Sequence, residues 1–258
     1  MYINGFPKAG LHLAERMAYG LYVKPQEQSH WLGTNAWTVK MHDLEAVGGR
    51  LGSLRPGEFF KGHMGHLKSV EAIMTILGVG CVFVYRDLRD VAVSQMYHVL
   101  TRSDKKLNHD GKREYRRIKR KQGKEGVLIA IIEGIDGFPG LIERWETFAP
   151  WLESEWALSV KFEDIRRDHW KAANQFFDYS FKLAGLIAEK DIDIEPKVQS
   201  AFVKRIVTEM GFRNTATFRK GISGEWRKEF TPKVIECFKA HDNGWLERMG
   251  YEKDDTWQ

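Results

Sequence analysis

Residues 2–17 read YINGFPKAGLHLAERM. Tyr2, Ile3 and Phe6 have the character of a short buried strand, Gly5 to Gly10 make a tight turn holding one lysine, and Leu11, Leu13, Ala14 and Met17 form one helical face. Strand, glycine-containing turn and helix in that order describe a phosphate cradle. A helix N-terminus leaves its first amides unpaired and carries partial positive charge, so the N–H groups of Ala9 to Leu13 can point at an anion. Gly10 permits close approach to the backbone, and Lys8 adds a full charge. The turn is not the common nucleoside-triphosphate loop, because no Gly-Lys-Ser/Thr closes it and its lysine precedes the second glycine. An ordinary strand-to-helix turn with a solvated lysine reads the same way, so the remainder of the chain has to decide.

The totals bound the answer. A chain of 258 residues with 43% hydrophobic content supports one large α/β domain, and a single domain over 1–258 is expected, since no linker, low-complexity tract or solenoid-spaced repeat interrupts it. Apolar runs such as Gly78 to Tyr85 and Val127 to Ile135 are far shorter than a bilayer span. With no cleavable signal pattern at the N-terminus, a soluble, cytoplasmic protein without a membrane span is expected. Cys81 and Cys237 read as buried thiols rather than a disulfide. The nine histidines form no ligand set with them, so no metal is expected.

A net charge of +5, from 40 basic against 35 acidic residues, suits an anionic small ligand or acceptor better than duplex nucleic acid. Much of the excess lies between Arg102 and Lys124, where eleven Lys or Arg residues face three acids. That run reads as a mobile, solvated basic flap within 102–137; the alternative is that it closes over the site or attracts an acidic acceptor.

Along the chain, Lys24 to Arg55 reads as loops and short pieces forming one wall of a pocket. Glu58 to Lys61 is a short strand running into KGHMGH, and Leu67 to Leu77 an amphipathic helix ended by Gly78 to Gly80. GCVFVY at Gly80 to Tyr85 has the continuous apolar, β-branched and aromatic character of a central parallel strand. It leads into RDLRD and a helix from about Val91 to Leu100, with Asp90 as cap or first-turn acid. Helices follow around Leu141 to Phe148, Lys171 to Ile187, Val198 to Glu209 and Pro232 to Met249, the last broken near Asn243-Gly244, with a strand at Trp156 to Phe162. Strands alternating with helices predict a central parallel sheet flanked by helices, with ligands at the strands' carboxyl ends.

Those ends carry one kind of chemistry: Lys8 with its amides, then Lys61 and His63, then Arg86 with Ser94 two turns into the next helix. FRKGISGEW at 218–226 adds Arg219 and Lys220 before a flexible loop at Gly221. Together they describe a site for a ligand bearing more than one phosphate-like group.

GFPKAG, VYRDLRDVAVSQMYH and FRKGISGEWRKEFTP resemble, in order and approximate spacing, the phosphosulfate loop, the 3′-phosphate motif and the C-terminal Arg-Lys-Gly loop of the PAPS-dependent sulfotransferases, PAPS being 3′-phosphoadenosine 5′-phosphosulfate. The resemblance implies a P-loop, nucleotide-kinase-like sulfotransferase fold that takes PAPS as co-substrate, leaves 3′,5′-ADP, and needs no metal. It implies that Lys8 and the amides of Ala9, Gly10, Leu11, His12 and Leu13 hold the 5′-phosphosulfate, and that Arg86, Ser94, Arg219, Lys220 and Gly221 hold the 3′-phosphate. Lys61 and His63 match the family's Lys-x-His element, with histidine as base and lysine attending the transferred group; Phe162 falls where a tyrosine often lies near the adenine, and Trp226 where a structural tryptophan is expected.

Departures are concentrated in the cradle, where Ala9, Leu11, His12 and Leu13 replace a serine, two polar residues and a tryptophan. Backbone donors survive those changes, His12 can fill a hydroxyl's role or meet the acceptor, and adenine stacking at Leu13 is not supported. The family's dimer signature is only partly present, since Pro232 interrupts it, and the oligomeric state stays open.

The implied chemistry is in-line transfer of a sulfuryl group to a hydroxyl or amine of a small-molecule, glycan or lipid acceptor. A neutral histidine at His63 suits proton removal from a weak nucleophile, with Lys8 and the amides stabilising charge on the departing phosphate; His66 is the competing base. A nucleotide-dependent phosphotransferase is opposed by the lack of a Lys-Ser/Thr pair for magnesium, and a non-catalytic binder of phosphoadenosine or single-stranded RNA is the third reading.

Overall fold

The computed structural model describes residues 1–22, 24–25, 44–101, 112–189, 192–211 and 221–258. In chain order the first half comprises β1 (Tyr2–Gly5), α1 (Leu11–Leu21), β2 (Lys24–Pro25), α2 (Leu44–Gly52), β3 (Glu58–Gly62), α3 (Lys68–Ile76), β4 (Cys81–Tyr85) and α4 (Leu88–Thr101). There follow α5 (Lys112–Glu133), β5 (Gly134–Ile135), β6 (Phe138–Pro139), α6 (Leu141–Glu146) and a 3-10 turn at Ala149–Leu152. The chain continues through β7 (Ala157–Lys161), α7 (Phe162–Arg167), α8 (His169–Ala188), α9 (Pro196–Met210), α10 (Trp226–Glu229), α11 (Pro232–His241) and α12 (Trp245–Arg248).

The described residues divide into two compact units, one from 1–85 and 148–211, the other from 86–147 and 221–258. The first holds a parallel sheet of strand order β2-β3-β1-β4-β7. Its central strands are short and buried on both faces: Ile3 pairs with Lys61 on one side and Val82 on the other, and Val84 with Val160. Because all strands run the same way, the ends at Gly5, Gly62, Tyr85 and Lys161 lie at one edge, where the segments bearing Lys8, His63 and Phe162 begin.

Helix α1 buries Leu11, Ala14, Met17 and Ala18 against this sheet together with Phe176, Phe177 and Ile206 of α8 and α9. Each large apolar side chain so buried stabilises the fold by about 1.5–3 kcal/mol relative to exposure. Gly20 allows the close crossing of α1 over α9: a Cβ there would sit 2.4 Å from the Ile206 Cα.

Helix α2 falls in the stretch 24–55 that reads as irregular from sequence, and this expectation is corrected. Gly48 and Gly49 weaken its intrinsic helicity, and the burial of Val47 and Leu51, one turn apart, supplies what propensity does not. Helix α4 likewise begins at Leu88, three residues before the expected start, so Asp90 lies in its first turn. The basic run, from 112 onward, is helical with a break at Gly123, whose φ is 69°; its remainder, 102–111, lies outside the described residues. Both thiols are free, with Cys81 buried and Cys237 only half-buried, so the expectation that both are buried holds for one of them.

The second unit buries Arg86, Arg89 and Arg144. Arg144 is fully buried, donating to Gln95 Oε1 at 2.9 Å and to the Pro139 carbonyl at 3.1 Å; burial lowers its pKa to about 10, which leaves it charged at neutral pH. Arg89 is 1% exposed and forms a fork on Asp87 (Nη2–Oδ2 2.7 Å, Nε–Oδ1 3.0 Å) while reaching Glu252 at 2.5 Å. Its guanidinium lies 3.9 Å from the ring centre of Trp226 and 4.6 Å from that of Trp257.

Candidate active site

The cradle forms in the first unit from a turn that bends sharply enough to require two left-handed residues, Lys8 at φ 71° and Gly10 at φ 101°. Gly10 is the N-cap of α1 and offers no side chain to its amides. Within the turn Ala9 N–H donates to the Phe6 carbonyl at 3.0 Å and Leu13 N–H to the Gly10 carbonyl at 2.8 Å. Two of the five amides expected to face an anion are therefore engaged inside the turn, while Gly10, Leu11 and His12 retain the character of uncapped helix-start donors.

Phe162, the first residue of α7, is buried beside this turn; a Cβ on Gly10 would lie 2.4 Å from its ring. Gly10→Ala is therefore expected to cost about 1–3 kcal/mol through backbone strain alone, with further loss from the clash. Thermal denaturation measures this, and a melting temperature equal to wild type would contradict the close packing.

Lys61 and His63 flank the end of β3 as the sequence predicts, and each has a specific partner. Lys61 Nζ is ion-paired with Glu15 Oε1, both side chains being at most 10% exposed. The second oxygen of Glu15 lies 3.1 Å from His12 Nδ1, and Tyr19 donates to Oε1 at 3.4 Å. Burial pushes the Glu15 carboxyl up, but its hydrogen bonds with His12 and Lys61 outweigh that and hold it below the ordinary range.

His63 Nδ1 lies 2.6 Å from the Gly5 carbonyl. A carbonyl only accepts, so Nδ1 carries the hydrogen and Nε2 carries the lone pair. Burial, with the neighbouring ammonium groups of Lys8 and Lys61, lowers its pKa to about 4 against the pull of that hydrogen bond. His66, the rival base, places Nε2 2.6 Å from Glu71 Oε2 and its ring edge-on to Trp151, centroids 4.7 Å apart.

Asn4 secures the segment. Its Oδ1 accepts from Gly5 N and Met64 N, both at 2.9 Å, and its Nδ2 donates to the Met64 carbonyl at 2.9 Å. Trp151 Nε1 donates to the same carbonyl at 2.9 Å. His63 is thereby held beside Met64, whose N–H and carbonyl are both pinned.

In the second unit, Arg86 is buried and donates through Nη2 to the Ile222 carbonyl at 2.7 Å and to Asp90 Oδ2 at 3.3 Å. Asp90 also accepts from Gly224 N at 2.7 Å and Trp226 N at 3.1 Å. The start of α4 thus grips the loop that begins at Gly221, whose φ is 60°. Ser94 lies one turn beyond Asp90 on the same face of α4 and is half-buried. Arg219 and Lys220 lie outside the described residues.

Glu15, Asn4 and Asp90 in its loop-holding role escape a reading by motif. For Glu15 a sequence signal existed: Leu11, Ala14, Glu15 and Ala18 share one helical stripe, and a carboxylate within an apolar stripe demands a buried cation. Asn4 at Met64, and Asp90 at Gly224 and Trp226, act through backbone groups distant in sequence, which leave no residue-type signature.

Among the described residues no group of three or more His, Cys, Asp or Glu side chains could hold a metal ion, and no helix is long and apolar enough to cross a membrane.

A sulfotransferase-domain family model matches residues 20–250, a span that starts after the cradle. No curated protein gives a significant match. Among solved structures, mouse sulfotransferase SULT7A1 complexed with PAP matches with a TM-score of 0.59 at 14% identity, covering 98% of this chain and 85% of that one. Retinol dehydratase, in one structure with androsterone and the inactive cofactor PAP and in another with retinol and PAP, matches with TM-scores of 0.51 and 0.52 at 15% and 16% identity, covering 95% of this chain and 80% of that one. With the family model matched over most of its length and the same fold in these structures, the chain belongs to the sulfotransferase family, enzymes that use PAPS as donor.

Proposed function

We propose that the protein transfers the sulfuryl group of PAPS to a hydroxyl or amine of a small-molecule acceptor, with His63 as general base. The observation that carries this reading is the Gly5 carbonyl on His63 Nδ1, which fixes the tautomer whose Nε2 can accept a proton. The uncapped start of α1 fits an anionic group, since its amides have no side-chain acceptor.

In this reading Lys8 and the amides of Gly10, Leu11 and His12 bind the 5′-phosphosulfate and stabilise the charge that grows on the phosphate as the sulfuryl group leaves. Lys61 attends the transferred group, and Glu15 orients its ammonium. Arg86 and Ser94 bind the 3′-phosphate, joined by Arg219, Lys220 and Gly221, while Phe162 backs the cradle beside Gly10. When bound, PAPS supplies the activated sulfuryl group, and the acceptor's proton moves to His63 Nε2.

The 3′-phosphate provides the test. 3′,5′-ADP should raise the melting temperature well above the shift produced by the same concentration of ordinary ADP, and Arg86→Met should erase the difference. Loss of one charge-assisted contact is expected to weaken 3′,5′-ADP binding by about tenfold or more. Equal shifts with the two nucleotides would favour a phosphotransferase instead. An acceptor panel headed by retinol and androsterone, the molecules bound in the retinol dehydratase structures, with labelled PAPS, addresses the second substrate.

A further inference from the structure

Strand β1 carries a fully buried amide, Asn4, beside the buried Tyr2 and Ile3. Burying an amide costs stability unless its polar atoms find partners, and here the partners are specific. Oδ1 takes the amide hydrogens of Gly5 and Met64, and Nδ2 gives one to the Met64 carbonyl. The Cys81 thiol is a further partner. Two N–H donors on one atom and a carbonyl on the other leave the amide a single way round.

The ladder between β1 and β3 ends at the pair Asn4–Gly62. Beyond it the Asn4 side chain continues the pairing, holding Met64 by both its N–H and its carbonyl. His63 is the residue between, so its backbone is fixed on one side by the sheet and on the other by Asn4. The acceptor of its ring hydrogen is the Gly5 carbonyl, 2.6 Å from Nδ1, and Asn4 also holds the Gly5 N–H. Val84 pairs with Gly5, and Trp151 donates to the Met64 carbonyl, so each supports one end of this arrangement. Asn4 bonds to both ends.

We propose, on the reading of His63 as base, that Asn4 is the positioning residue of that base. By tying Met64 to Gly5 it sets where the imidazole is rooted and where its acceptor stands, and so keeps the hydrogen on Nδ1 and the lone pair on Nε2. Catalytic geometry is sensitive to this, since a displacement of about 1 Å is enough to cost on the order of a hundredfold in rate.

The experiment is nitrogen NMR of the histidine rings in the full chain at neutral pH, where N–H and lone-pair nitrogens give separate signals, with His63→Asn identifying the His63 pair. Wild type is expected to show His63 with its hydrogen on Nδ1 alone. Asn4→Ala should give a mixture of the two tautomers, and so should Asn4→Ser, a milder change whose shorter side chain stops short of Met64. Asn4→Asp, which keeps an oxygen for both amides, should restore the wild-type pattern. Transfer from labelled PAPS should fall about ten- to a hundredfold in kcat in Asn4→Ala, with KM for PAPS little changed. Trp151→Phe, which removes the other donor to the Met64 carbonyl, should lower the melting temperature yet leave the His63 signals in place.

A His63 pattern that is unchanged in folded Asn4→Ala or Asn4→Ser, or moved as far by Trp151→Phe, overturns the proposal. A folded Asn4→Asp that loses the hydrogen on Nδ1 does the same. Full transfer by His63→Ala sinks the base reading itself, whereas loss of transfer there with a ring indifferent to Asn4 sinks only the role of Asn4.

Discussion

His63→Ala is expected to lower sulfuryl transfer by about 10²–10⁴-fold while leaving 3′,5′-ADP binding close to wild type. The expected split follows from geometry: the ring hangs from the Gly5 carbonyl by Nδ1, and the amides proposed to bind the donor belong to the start of α1. Single-turnover rates with labelled PAPS, beside calorimetric binding of 3′,5′-ADP, measure the two quantities separately. A variant that keeps full activity removes His63 from the chemistry, and the parallel variant His66→Ala, whose ring is tied to Glu71, should then show the loss instead.

The same residue sets a pH dependence. With its folded pKa lowered to about 4 against an ordinary value of 6.5, the unfolded chain binds the more protons between those limits. The sign is therefore that stability from the buried neutral ring is complete above about 6.5 and is lost as pH falls toward 4, by up to about 3 kcal/mol. Asparagine at this position can retain a donor toward Gly5 without titrating, so His63→Asn should flatten that part of the stability profile. An unchanged acid dependence in His63→Asn would show that other groups cause it.

Arg89→Met is expected to destabilise the protein by about 3–5 kcal/mol, because it strands the buried Asp87 carboxylate without its counter-charge. Glu252 and the faces of Trp226 and Trp257 lose the same partner. For a chain of 258 residues this is a drop in melting temperature on the order of 10 °C. Arg89→Lys should recover little, since an ammonium cannot form the two-pronged contact with Asp87 and lie flat on the indoles at once. Melting curves of both variants test this; a loss under 1 kcal/mol would mean that the aromatic cluster at the C-terminus holds without the guanidinium.

The alternating strands and helices were legible because apolar runs such as CVFVY can be satisfied only by burial on both faces of a parallel sheet, and the helices by their 3.6-residue stripes. Helix α2 was not, because Gly48 and Gly49 mask a short stripe that only its packing stabilises. Lys8, Lys61, His63 and Arg86 could be singled out as candidates from their positions at strand ends, since a turn after a parallel strand is where a backbone cradle and a cation can serve a ligand together.

From the order of residues alone came the fold class, the cradle's place at the first strand end and the types of side chain available for phosphate and proton chemistry. Only the folded chain decided which ring nitrogen of His63 carries the hydrogen, that Glu15 ties Lys61 to His12, and that Asp90 binds the loop at Gly224 and Trp226. The reason is physical: residue type sets what a group can donate or accept, while a tautomer, an ion pair across 46 residues or a carboxylate on distant amides depends on which partner burial brings within three ångströms.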